Sequence, residues 1–227
     1  MIEQNGSYEI STIAEMTNGI ILAHFEKETG IQETAYQSEA ELENKMIENL
    51  ISQGYESIVI KSNSDLYTNL KTQIEKLNEV TFSEDEWNRF LKEYLDAPNE
   101  GIIEKTRKIQ ENHIYDFIFD DGHLKNIKII DKKNIHNNFL QVTHQVWGEG
   151  KSRNRYDVTV LVNGLPLVHI ELKKRGVNMH EAFNQIHRYS KESFNSENTL
   201  YKYVQLFVIS NGTYTRYFAN TTAQNKN

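Results

Sequence analysis

The chain has 227 residues, 38% hydrophobic, 25% charged and 11% aromatic, enough for one large domain or two small ones; no run approaches the roughly 18 apolar residues of a membrane helix, and the opening MIEQNGSYEI lacks the basic stretch and apolar run of a secretory signal. The absence of cysteine excludes disulfide frameworks, thiolate nucleophiles and Cys-ligated metal centres, and fits a cytoplasmic protein. A formal net charge of -7 alone argues against a protein that coats nucleic acid, yet residues 141–220 hold ten Lys/Arg against six Asp/Glu, and a local basic surface matters more for DNA contact than the sum over the chain.

Residues 38–53 (SEAELENKMIENLISQ) are predicted to be helical. Ser38 and Glu41 make a capping box, Leu42, Met46, Ile47 and Leu50 form an apolar stripe, and Gly54 is a stop. A short strand is expected around Ser57–Ile60. Residues 64–110 read as two or three helices, with a second capping box (Ser83, Glu86) before WNRFLKEYL and a break from Pro98 to Gly101. From about residue 114 the period changes to two: IYDFIF, HLKNIKII and NNFLQVTHQV are strand-like, with Asp121-Gly122 as the first hairpin turn. YDVTVLV and LPLVHIELK follow, joined across Asn163-Gly164. Residues 178–192 turn helical with Asn178 as N-cap. YVQLFVIS is a buried strand, Asn211-Gly212 turns into TYTRYFA, and the TTAQNKN tail is polar. This order predicts an α/β fold on a mixed sheet, with helices covering at least one face.

The segment RYDVTVLVNGLPLVHIELKKRG, residues 155–176, carries the chemistry. Side chains alternate along a strand, so His169, Glu171 and Lys173 share one face and Val168, Ile170 and Leu172 the other. The carboxylate can hold a divalent cation. The ammonium two residues on can orient or deprotonate a water, or offset charge on a phosphate. Asp157, on the preceding strand, joins them in only one register. A plain two-residue Asn163-Gly164 turn sets Asp157 opposite Ile170, on the wrong face. A three-residue turn, or a bulge with the same effect, sets Asp157 opposite Glu171 and Thr159 opposite His169, with Cβ atoms about 5 Å apart, right for sharing one Mg2+. That second register is expected. An arbitrary Glu-x-Lys on a strand is usually a solvated ion pair, so spacing alone leaves that reading open.

Longer stretches narrow it. GIIEKTRKIQ, NRYDVTVLVNGLPLVHIELKKRGV, EAFNQIHRYS and VQLFVISNGTYTRYFAN resemble the N-terminal nuclease domain of the restriction (motor) subunit of type I restriction–modification enzymes, a member of the PD-(D/E)xK nuclease fold. The resemblance runs from about Ser38 to Asn220. It implies a restriction-endonuclease-like mixed β-sheet flanked by helices, in a single nuclease domain over 1–227. The core would be about 36–60 and 114–220, with a helical insertion at about 62–112 and a tail at 221–227. Asp157 and Glu171 match the metal-binding acids, and Lys173 the catalytic lysine. Gln185 and Tyr189 match a Q-x-x-x-Y motif, whose i, i+4 spacing puts both tips on one helix face; without the resemblance they would read as a helix rim. Glu43 matches a metal-site glutamate on the first helix, with Glu39 and Glu41 as alternatives. Tyr156, not proline, precedes Asp157.

The activity implied is Mg2+-dependent (Mn2+ as substitute) cleavage of duplex DNA, coupled in the longer subunit to ATP-driven translocation. ATP would be used only by motor domains absent from these residues. The partners implied are double-stranded DNA and the methyltransferase and specificity subunits, with no membrane. Lys174, Arg175 and Arg188 are candidates for phosphate contacts. GEGKS at 148–152 mimics the end of a phosphate-binding loop, but Gln145 stands where glycine is needed and a strand is expected to follow. Lys151, Arg153 and Arg155 are therefore candidates for DNA backbone or solvent. His169 reads as a satisfied sheet histidine in preference to a third active-site group. A non-catalytic docking module, or a stand-alone repair nuclease of the same fold, are the alternatives.

Overall fold

The structure, a computed structural model, describes residues 8–16, 19–27, 38–148, 154–177, 184 and 199–220. Eight strands form one sheet, in the spatial order β1 (Tyr8–Met16), β2 (Gly19–Lys27), β10 (Tyr214–Ala219), β9 (Leu206–Ser210), β8 (Leu165–Leu172), β7 (Asn154–Val162), β6 (Leu140–Gly148) and β3 (Glu56–Ser57). The β8–β9 and β3–β6 pairs are parallel and the others antiparallel. The fold is thus mixed α/β, consistent with a restriction-endonuclease-like architecture. The β1–β2 hairpin, which extends the sheet beyond β10, lies ahead of the first element expected from the sequence.

Two helices begin at the serines expected, Ser38 and Ser83, and a third at Ser62, which the sequence reading did not single out. Capping boxes at Ser38/Glu41, Ser62/Asp65 and Ser83/Glu86 open α1 (Glu39–Ser52), α2 (Asn63–Asn78) and α3 (Glu84–Phe90), which runs on into a π turn at Leu91–Leu95. After the break at Pro98–Gly101 comes α4 (Ile102–Gln110). Strand alternation sorts the core into two layers. Val142, Val158, Val160, Ile170 and Leu172 pack with Leu42 and Ile47 of α1. Leu161, Leu165, Phe207 and Ile209 belong to the opposite layer, with Leu66, Leu70 and Ile74 of α2. No helix among the described residues is long and apolar enough to cross a membrane.

One expected hairpin sits elsewhere than a simple run of strands implies. β4 (Ile114–Ile118) and β5 (Leu124–Lys128) pair only with each other. Phe117 and Phe119 pack on Phe82, and Phe117 also meets Phe90 edge-on. The hairpin's aromatic face matches the aromatic face of α3, so the hairpin closes the helical layer instead of lengthening the sheet. Of the helix expected at 178–192 only Asn184, which is helical, is among the described residues; the rest of it and the tail at 221–227 lie outside them.

The β7–β8 connection decides the register. Asn163 and Gly164 both have positive φ, 52° and 82°, so the turn is a tight two-residue one. It pairs Val162 with Leu165 and Leu161 with Pro166. A bulge then inserts Leu167, and the ladder resumes as Val160 with Val168, Thr159 with His169 and Val158 with Ile170. The bulge delivers the register that brings Asp157 toward Glu171. The turn itself is buried beneath α2: a Cβ at Gly164 would lie 2.6 Å from Leu70 Cα. Gly164→Ala therefore meets both a left-handed backbone and a main-chain clash. Its expected cost is about 2–4 kcal/mol by denaturant unfolding; unchanged stability would show that this turn does not set the packing of α2.

Candidate active site

The site forms where the β6–β7 ladder breaks its alternation. Gln145 has φ 55° and lies between the pairs His144–Val158 and Val146–Tyr156, across from Asp157. The faces exchange at this point. Val142 and Val158 pack in the α1 layer, whereas Val146 and Tyr156 belong to the opposite one. Asp157, at the pivot, is half-buried, and its Oδ2 accepts a hydrogen bond from the Leu172 N–H at 2.9 Å.

Glu171 is 0% exposed. Its Oε1 accepts from Lys173 Nζ at 2.8 Å; its Oε2 accepts no hydrogen bond and stands 3.4 Å from His169 Nε2. His169 is buried edge-on against Tyr156 and Phe207, as a packed sheet histidine behind the acid. Burial, then the charge of Glu171, pushes the Asp157 carboxyl up to about 7. Glu43 adds to the rise, while the Leu172 N–H and Lys173 pull the other way. Burial works to neutralise Lys173, but Glu171, helped by Asp157, outweighs it and holds the ammonium above its ordinary range.

Two buried, mutually repelling carboxyls share one ammonium, and one carboxylate oxygen has no donor. Such a group is short of positive charge. Among the described residues, no three His, Asp or Glu side chains close around one point. Magnesium commonly takes only one or two carboxylates and completes its shell with water and phosphate oxygens, so the Asp157–Glu171 pair fits it as a donor set.

The three candidate glutamates of α1 differ. Glu41 is taken up by the Ser38 capping box. Glu39 is exposed, its Oε1 3.4 Å from the Lys174 N–H. Glu43 is 4% exposed and turned to the sheet, where it meets His144 and Gln145. Lys174 is exposed and Arg175 half-buried. Arg175, with Asn211, Thr213, Tyr214 and Arg216, lines a groove beside the end of β8. Arg216 drew no notice in the sequence because a lone cation in TYTRYFA has no pattern around it. Gln185, Tyr189, Arg188, Lys151 and Arg153 lie outside the described residues. Arg155 is within β7, where its backbone pairs with Trp147.

Residues 36–226 match the family described as Type I restriction enzyme R protein N terminus. The chain is 56% identical over 216 residues to an Escherichia coli protein named type I restriction enzyme EcoprrI endonuclease subunit, covering 95% of this chain and 69% of that one. It is 39% identical over 195 residues to the type I restriction enzyme SauMSSORF170P endonuclease subunit of Staphylococcus aureus strain MSSA476, covering 84% of this chain but 20% of the relative. To a Methanocaldococcus jannaschii protein named putative type I restriction enzyme MjaVIIIP endonuclease subunit it is 31% identical over 123 residues, 52% of this chain and 10% of that one. The family match runs from before α1 to beyond β10 and takes in every residue of the site, and the chain belongs to the type I restriction enzyme R protein N-terminal family.

Proposed function

We propose that this chain is the nuclease module of a type I restriction subunit, cutting phosphodiesters of duplex DNA with Mg2+, or Mn2+ in its place. The observation that carries this reading is the meeting of Asp157, Glu171 and Lys173 at a buried break in the sheet, with too little positive charge of their own. Asp157 and Glu171 would hold a divalent cation, which would supply Lewis acidity at the phosphate and favour ionisation of the attacking water. Asp157 must first give up its proton, and the Leu172 N–H keeps its carboxylate oriented. Among the described residues Glu171 Oε2 accepts no hydrogen bond, with His169 Nε2 beside it at 3.4 Å, which leaves it as the oxygen that would turn to the cation. Lys173, raised in pKa, stays protonated at neutral pH. It therefore serves as a fixed positive charge beside the attacking hydroxide or the developing phosphorane, in preference to a base that strips a proton from water.

Lys174, Arg175 and Arg188 are proposed phosphate contacts, with Lys151, Arg153 and Arg155 as further ones. Gln185 and Tyr189 are proposed to position the strand or the lysine. The module works within a cytoplasmic complex containing methyltransferase and specificity subunits. ATP is consumed by translocase domains of the longer subunit. A single nuclease domain is proposed, with a core at about 36–60 and 114–220 and the helical insertion at about 62–112; the β4–β5 hairpin packs with that insertion. A docking module that had lost its chemistry would have no use for a buried carboxyl pair that destabilises the metal-free fold, and this favours catalysis. Calorimetric titration of the chain with Mn2+ tests the reading. Binding by the wild type and a loss of at least about tenfold in Asp157→Ala and Glu171→Ala is expected; equal affinity in all three would favour the docking module.

A further inference from the structure

Four residues other than glycine have positive φ among the described residues: Glu79, Asn99, Gln145 and Asn163. Three occupy ordinary places for it. Glu79 caps the end of α2, Asn99 lies in the turn before α4, and Asn163 is in the β7–β8 hairpin turn. Gln145 alone of the four is inside a strand, and glutamine is not one of the residue types that tolerate this region easily. Such a conformation persists where its surroundings over-determine it, and it collects at functional sites.

Its effect here is specific. Neighbouring residues in a regular strand point to opposite faces. With Gln145 left-handed, His144 and Gln145 both reach α1 and grip the two oxygens of one carboxylate. His144 Nδ1 lies 2.8 Å from Glu43 Oε1, and Gln145 Nε2 donates to Glu43 Oε2 at 3.3 Å. Pairing with a carboxylate puts the imidazole proton on Nδ1. Neither partner is a lysine or arginine, so Glu43 is held at both oxygens without a permanently cationic partner, while almost wholly buried. The same kink lies across from Asp157, and Glu43 is near enough to Asp157 to raise its pKa.

We infer that Gln145 and His144 are positioning residues: the left-handed kink brings two donors onto Glu43 and fixes that carboxylate against the Asp157 site, where it strengthens the hold on a divalent cation. This rests on the metal-dependent reading above and extends it to a residue pair that touches no metal itself. A third negative charge held rigidly near two others is costly without a cation and favourable with one, which is the arrangement a high-affinity site needs.

The test is Mn2+ titration by calorimetry on the whole chain, with thermal melts of the metal-free protein alongside. Gln145→Asn puts in a residue that tolerates left-handed backbone, but its amide is one methylene short of Glu43. His144→Ala removes the other donor, and His144→Asn restores one near the Nδ1 position. Gln145→Asn and His144→Ala are expected to weaken Mn2+ binding about tenfold, with His144→Asn close to wild type and metal-free melting temperatures within about 4 °C. In a Glu43→Gln background, Gln145→Asn should have no further effect, because it acts through Glu43. Wild-type affinity in both Gln145→Asn and His144→Ala, or a loss undiminished in the Glu43→Gln background, would overturn the inference. So would a melting temperature lowered beyond that range in both variants, which would make the pair structural. A wild-type chain that takes up no Mn2+ sinks the metal reading and this inference together; a wild type that binds, beside Gln145→Asn and His144→Ala variants that both bind equally well, sinks this inference alone.

Discussion

Lys173→Ala in the complete restriction complex is expected to lower DNA breakage about 10^3-fold or more while ATP hydrolysis continues at its wild-type rate. The geometry supplies the argument. Lys173 leaves β8 one residue past the ladder and places its ammonium 2.8 Å from Glu171 Oε1, so the charge already stands beside the acid proposed to hold the metal. That charge persists at neutral pH because Glu171 and Asp157 outweigh the burial that works against it. Removing it should not weaken cation binding, since the cation would then face two buried carboxylates with no competing ammonium. Mn2+ affinity is expected to stay equal or rise as cleavage disappears, and that opposite movement separates a catalytic lysine from one that merely builds the site. Lys173→Arg should recover little, because a planar guanidinium cannot replace a compact ammonium at this depth. Plasmid breakage, phosphate release and calorimetry on one set of variants give all three readings. Cleavage retained in Lys173→Ala with intact ATPase would mean that another lysine does this work.

The sequence carried the site's chemistry further than its geometry. The Ser38/Glu41 and Ser83/Glu86 boxes open helices where expected, since a cap is a local device written in four adjacent residues. The conflict between a tight Asn163-Gly164 turn and the pairing of Asp157 with Glu171 could be worked out from residue numbers alone. The inserted residue that resolves it, Leu167, could not, because a leucine at a bulge looks like any other strand leucine. The kink at Gln145 was hidden more deeply. In VTHQVW, Val142 and Val146 stand four residues apart, a spacing that a regular strand would place on one face, so the period gives no sign that the faces exchange between them. Without glycine, asparagine or aspartate at the pivot, no turn signal marks it. The β4–β5 hairpin shows the same limit at larger scale. A period of two says that a segment is a strand; which sheet it joins is decided by rings such as Phe82 and Phe90, far away in sequence.

The pH dependence that Asp157 gives to the chain's stability should vanish when metal is added. Asp157 has its carboxyl raised from 3.8 to about 7, chiefly by burial and then by Glu171. Between these values the folded state holds a proton that the unfolded state has already lost. With more protons bound in the native state, stability falls as pH rises, and the loss is complete above pH 7. The full effect of a shift this size is on the order of 4 kcal/mol. Asp157→Asn should remove that slope, so the difference between wild-type and Asp157→Asn melts isolates this one carboxyl from the others that titrate in the same range. Saturating Mn2+ binds only the ionised carboxylate. Its apparent affinity is expected to be flat above pH 7 and to fall about tenfold per unit below it, one proton being released for each ion bound. The gain in affinity offsets the loss in the metal-free fold unit for unit, so the metal-loaded chain should hold its stability level from about pH 5 to pH 7, over the interval in which the metal-free chain loses it. Parallel curves with and without Mn2+ would mean that Asp157 ionises independently of the ion, and Glu171 would then have to hold the cation without it.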